Sequence, residues 1–214
     1  MIATDTIPGR ILETAGQVFA EKGFKAATVR EICRRADVNI AAVNYYFGDK
    51  TRLYIESVKS AHGKVVSGMQ QPEWAEGTTP TQKLAAFIRM FVSRLVDPTR
   101  PRWHVQLMMR EMAQPTAACA ELVRDNIRPV AGILMNILEE ILPPTLPPWK
   151  RFLVGISIIG QCVIHCQNRP ILEQLAGPEI FSHFDADALA DHIAQFSLAA
   201  LGLGKPLATR EASS

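Results

Sequence analysis

The side chains best suited to gripping nucleic acid lie between Thr28 and Lys50. Val38, Val43 and Phe47 are spaced to turn inward on a short helix. That leaves Asn39, Ile40, Ala41, Ala42, Asn44, Tyr45 and Tyr46 on or near its exposed side. An asparagine amide can bond bidentately to adenine. Small alanines let backbone come close to DNA, and tyrosine hydroxyls suit phosphate oxygens. Thr28 is a further phosphate candidate, and Arg30 can reach either phosphate or base from the preceding helix. Lys50 opens the next helix, where a cation beside unpaired N–H groups makes an anion site.

Two other clusters compete for attention. Cys162, His165 and Cys166 fall at i, i+3 and i+4, a spacing that suits zinc or copper. The same segment carries Phe152, Ile156, Ile159 and Val163, which favours helix packing, so no metal and no cofactor are assigned. Trp103, His104, Met108, Met109, Arg110 and Glu111 combine apolar bulk with a few polar groups, as a ligand pocket does. Phe87, Phe91, Met135 and Gln161 extend the candidate lining. The competing reading is plain core, with Arg110 and Glu111 paired to other charges. Nothing nominates an enzyme. Glu139 and Glu140 are adjacent and point apart on a helix, and no nucleophile elbow, zinc-protease or phosphate-loop motif occurs.

The elements that must position these residues read as helices throughout. Ile11, Ala15, Val18 and Phe19 stripe a first helix from about Thr6 to Lys22, closed by Gly23. Thr28 and Glu31 have capping-box spacing for a second helix. A tight turn at Ala36-Asp37-Val38 leads to a third, about Asn39 to Phe47, and Asp49 can cap a fourth, Lys50 to about Met69. Three short helices with a tight turn between the second and third make a helix-turn-helix pattern.

A loop from Gln70 to Thr79 follows. Thr79-Pro80-Thr81-Gln82 opens a helix that runs to Val96. Further helices are expected over Arg102–Ala113 and over Thr116–Leu142 with a kink at Pro129. After a proline-rich connector come two last helices, about Trp149–Asn168 and Asp185–Leu203, with one or two short turns between them. The fold class is therefore all-α. Residues 5–65 form the small DNA-binding domain, 66–204 a larger helical domain, and 205–214 a polar tail.

Composition bounds the possibilities. The 214 residues are 48% hydrophobic and 21% charged, which excludes a disordered chain. Net charge is only +2, so any nucleic-acid signal must be local. Residues 1–60 hold nine Lys/Arg against seven Asp/Glu, so the whole excess sits on the first module. No apolar run reaches the ~18 residues of a membrane span. Asp5 and the lack of an apolar run in the first ten residues argue against a signal peptide. The expectation is a cytoplasmic protein whose four cysteines are thiols.

The order Thr28-Val29-Arg30-Glu31-Ile32, then Val38 through Phe47, then Lys50 and Leu53, closely resembles the TetR-family signature. Phe19-Ala20-Glu21-Lys22-Gly23-Phe24 resembles the end of that family's first helix, and the likeness spans about residues 8–65. Asn39 and Asn44 stand where the family often has serine and tyrosine. Trp103, Arg110-Glu111, Pro115-Thr116, Pro129, Gly160-Gln161-Cys162 and Asn168-Arg169 resemble the CecR-like branch over about 80–180. The resemblance implies a homodimeric regulator, a repressor released from a palindromic operator by a small-molecule effector held in the body. It implies dimerisation through helices 149–168 and 185–203, where Gly155, Ser157 and Gly160 keep one region slim. The alternative is a helical small-molecule-binding protein without sequence-specific DNA recognition.

Overall fold

The computed structural model describes residues 6–66, 73–97 and 99–205. The end of the fourth predicted helix near Met69, the start of the loop at Gln70 and the tail from 206 lie outside the described residues. Every regular element among the described residues is helical. The helices are α1 (Ile7–Ala26), α2 (Val29–Ala36), α3 (Ile40–Phe47), α4 (Lys50–Val66), α5 (Pro80–Leu95) and α6 (Arg102–Ala113). They continue with α7 (Ala117–Leu122), a π turn (Val123–Ile127), α8 (Arg128–Ile141), α9 (Pro148–Gln167), α10 (Arg169–Phe181) and α11 (Ala186–Ala200).

The chain forms two compact units. One joins Met1–Ser67 to Thr99–Pro129, and the other joins Gly68–Pro98 to Val130–Ser214. In the first, α1 packs on α2, α3, α4 and α6, and α4 also packs on α7. Its core gathers Ile11, Val18 and Phe19 of α1, Ile32 of α2, Val43 and Phe47 of α3, Leu53 and Val58 of α4, and Leu107 of α6. This unit is larger than the 5–65 module, because α6 and α7 complete its apolar core. In the second unit α5 lies against α9 and α11. Leu84, Phe87 and Ile88 of α5 and Ile193 of α11 are each no more than 1% exposed. Arg89 of α5 pairs with Asp187 and Asp191 of α11 at the surface.

Local signals explain most boundaries. Thr6, Thr28, Asn39, Thr79 and Asp185 each cap a following helix through the side chain. The capping box at Thr79 and Gln82 is complete. The one expected at Thr28 is only half made, because the Glu31 carboxylate turns instead to Lys22 and Arg35. Gly23 takes φ 77°, so α1 breaks there and resumes briefly to Ala26. Two expectations differ from the structure. The helix expected over Thr116–Leu142 with a kink at Pro129 is instead α7 and α8 joined by a π turn, in which Arg128 N–H bonds the Val123 carbonyl just before the residue that lacks an N–H. The short turns expected before Asp185 are a full helix, α10, which carries Pro170 in its first turn and bends at Gly177 with φ 78°.

Candidate nucleic-acid interface and helical body

The turn between α2 and α3 is made by Asp37, whose φ of 52° places it in the left-handed region. Val38 N–H returns to the Cys33 carbonyl at 3.0 Å, which holds the turn shut. α3 is anchored by buried Val43 and Phe47 and ends at Gly48, φ 78°. Its outer side carries Ile40, Ala41, Asn44, Tyr45 and Tyr46, all exposed, with Tyr45 at 82%. The two tyrosine rings meet edge to face at 5.0 Å. Ala42 is half-buried and packs on the core margin. Asn39 caps the helix, with Oδ1 accepting Ala42 N–H at 2.8 Å.

The flanking cations are placed by specific contacts. Thr28 Oγ1 accepts Glu31 N–H at 3.2 Å, and Arg30 projects into solvent from α2. Lys50 opens α4, with its ammonium 4.7 Å from the Phe24 ring centroid and donating to the Lys25 carbonyl at 3.3 Å. Asp49 caps α4 by accepting Arg52 N–H at 2.7 Å. Glu31 receives Lys22 and Arg35, and Arg35 also reaches Glu21, so α2 is clamped to α1. Bonding from Lys22, ahead of Arg35, holds the Glu31 carboxyl below its ordinary pKa.

α6 is fastened to α1 and α4 by residues that the sequence suggests as ligand contacts. Trp103 packs on Gly16, where an added Cβ would lie 2.2 Å from the indole Cζ3. Its Nε1 donates to Glu13 at 2.7 Å. Arg110 donates from Nε to the Ala20 carbonyl at 2.6 Å and from a terminal nitrogen to the Glu21 carbonyl at 2.8 Å. Both carbonyls lie just before Gly23, where α1 is interrupted. Glu111, 1% exposed, accepts the Tyr54 hydroxyl at 2.8 Å and Thr116 N–H at 2.8 Å. Burial, then the Glu111 hydrogen bond, pushes the Tyr54 phenol above its ordinary pKa. Arg110 and Glu111 thus grip backbone and hydroxyl groups rather than opposite charges. His104 is buried and Met108 packs at the edge of the same core.

The remaining ligand candidates belong to the second unit. Phe87 and Phe91 stack in its core with centroids 5.9 Å apart. Met135 sits over Gly155, where its sulfur would be 3.3 Å from an added Cβ. Gln161 bonds back to the Ser157 carbonyl at 3.3 Å. Cys162 is buried and its thiol is pushed up to about 12 by burial. The Cys166 side chain, the third member of the possible metal cluster, lies outside the described residues.

Sequence reasoning missed one feature. His62 Nδ1 on α4 and Asn126 Oδ1 in the π turn are buried without a hydrogen-bond partner among the described residues. No spacing pattern marks them, because their burial is set by packing alone. The α9 segment read as helix packing bears an exposed apolar stripe: Trp149, Phe152, Leu153, Ile156 and Ile164, each 47–61% exposed. Gly155 packs inward on α8, whereas Gly160 has open space beside it on the stripe. On α11, Phe196 and Leu203 just beyond it are also exposed, at 46% and 48%.

Comparison with known proteins agrees with this geometry. Residues 11–56 match the model of the bacterial regulatory proteins of the TetR family. Residues 80–201 match the C-terminal domain model of the HTH-type transcriptional dual regulator CecR. The chain belongs to the TetR family of bacterial regulatory proteins. It is 49% identical over 131 residues to the probable HTH-type transcriptional regulator YttP of Bacillus subtilis, an alignment covering 61% of this chain and 62% of that protein. The fold resembles a TetR-family regulatory protein of Rhodococcus RHA1, with TM-score 0.68, 17% identity, and 92% and 98% of the two chains covered. It also resembles the regulator FadR of Bacillus subtilis, solved with stearoyl-CoA, with TM-score 0.66, 21% identity, and 89% and 97% covered. No helix among the described residues is long and apolar enough to cross a membrane.

Proposed function

We propose that this protein is a ligand-responsive transcriptional repressor of the CecR-like branch, acting in the cytoplasm as a homodimer on a palindromic operator. The observation that carries the reading is α3, anchored inward by Val43 and Phe47 while Ile40, Ala41, Asn44, Tyr45 and Tyr46 stand in solvent. Such a helix fits a major groove. Thr28, Tyr45, Tyr46 and Lys50 hold phosphates, Arg30 reaches phosphate or base, and residues from Asn39 to Asn44 form the reading segment. The match over residues 80–201 supports the branch.

The apolar stripe on α9, with Phe196 and Leu203, supports pairing of two copies through α9 and α11. A two-fold dimer presents two reading heads, which is what a palindrome requires. An effector bound among second-unit side chains such as Phe87, Phe91, Met135 and Gln161 would favour a conformer whose heads no longer match the half-sites. It can shift that balance only by binding one state more tightly.

Fluorescence anisotropy at about 0.15 M salt tests the reading, with DNA flanking the gene against a scrambled duplex. A preference of ~10³-fold or more is expected of a specific regulator. Equal weak binding across all flanking and promoter duplexes would favour a helical ligand-binding protein instead.

A further inference from the structure

The outer side of α3 is uncharged. From Ile40 to Phe47 it holds no acidic or basic side chain. Guanine is most often read by the paired donors of arginine or lysine, and α3 offers neither. It offers amide, methyl and phenol groups. A bidentate adenine contact needs both the oxygen and the amino group of one side-chain amide, the first accepting from N6 and the second donating to N7.

Two asparagines stand near this surface, and the structure distinguishes them. The Asn39 oxygen accepts Ala42 N–H at 2.8 Å, in the N-cap position. Turning that amide toward a base would uncover an N–H at the helix start and give up the cap. Asn44 is exposed, and its side chain makes no hydrogen bond to the described residues. It lies one turn along from Ile40, on the neighbouring ridge to Ala41. Methyl-bearing side chains at that distance suit the thymine C5-methyl group.

We infer that α3 reads A·T pairs: Asn44 makes the bidentate contact to adenine, Ile40 and Ala41 pack on thymine methyl groups, and Asn39 sets the start of the helix without reading a base. The inference rests on the DNA-binding reading above. It leaves any guanine contact in a half-site to Arg30 on α2.

Selection of bound duplexes from a randomised pool, using the full-length protein at fixed salt, tests this. The wild type should enrich half-sites with A·T pairs at the positions facing α3. Asn44→Ala should lose adenine preference in one column per half-site, by roughly 5- to 150-fold. Asn39→Ala should lower Tm and weaken binding to every duplex with the column preferences unchanged. Asn39→Ser, which keeps a capping oxygen, should restore both. An unchanged profile for Asn44→Ala, a column altered by Asn39→Ser, or G·C pairs facing α3 would each overturn the inference while leaving DNA recognition intact. Failure of the wild type to enrich any sequence would overturn the DNA-binding reading itself.

Discussion

Arg110 Nε lies 2.6 Å from the carbonyl oxygen of Ala20, so a side chain of α6 bonds the backbone of α1 just before its break at Gly23. The guanidinium also reaches the Glu21 carbonyl at 2.8 Å. Arg110→Ala removes both donors from the carbonyls beside the α1 break. A loss of about 1.5–3 kcal/mol is expected, the range for hydrogen bonds to a charged group. Urea denaturation monitored by circular dichroism measures it. Arg110→Lys should recover only part, since an ammonium cannot span two carbonyls as a planar fork does.

Gly16 and Trp103 form a pair that tolerates no added atom. Gly16→Ala places a methyl group in the indole, and overpacking of this kind costs about 1–3 kcal/mol. Trp103→Leu alone also destabilises, through lost area and the lost bond to Glu13. The double variant should be more stable than the two single losses predict when added. Strict additivity in thermal melts would remove the contact as the cause.

His62 makes stability depend on pH. Burial, and then the charge of Arg100, lowers its pKa from 6.5 to about 4. The folded protein therefore holds a neutral imidazole that the unfolded chain protonates more readily. The resulting stability is complete above pH ~6.5 and is lost as pH falls toward ~4, by up to about 3 kcal/mol. His62→Leu should flatten the denaturation midpoint across that window. An equally steep profile in the variant would assign the dependence to other groups.

Ile156 sits in the middle of the exposed α9 stripe. Ile156→Glu puts a charge at the centre of the proposed two-fold contact, where an unpaired buried charge is strongly disfavoured. Sedimentation velocity should show monomer, with a circular dichroism spectrum like that of the parent. A dimer that persists would move the interface away from α9.

Lys50 is the test of backbone contact. Lys50→Ala should weaken binding to all duplexes alike and flatten the slope of log K against log salt by about 0.9, one phosphate's worth. A changed base preference would give Lys50 a different role. The variant also gives up its contacts with Phe24 and Lys25, so its melting temperature serves as the control.

Short-range patterns determined the head. The stripe of Ile11, Ala15, Val18 and Phe19, the caps at Thr28 and Asn39 and the turn at Asp37 all act within a few residues, so α1 to α3 were legible from the chain. The same holds for α5, where Thr79 and Gln82 close a box three residues wide. α10 was less legible, because Pro170, Gly177 and Pro178 look like punctuation, whereas a proline in the first turn begins a helix as readily as it ends one.

What only the tertiary structure decided lies in pairs far apart in sequence. Trp103 on Gly16, Arg110 on Ala20 and Tyr54 on Glu111 join residues 57 to 90 positions apart. No periodicity encodes such pairs, because each depends on which helix faces give up water together. The same packing drew α6 and α7 into the unit with the reading head. It left the α9 stripe bare, where the chain alone reads only that those side chains pack at a helix interface. Burial is a property of the assembled fold, whereas capping and periodicity belong to the local chain.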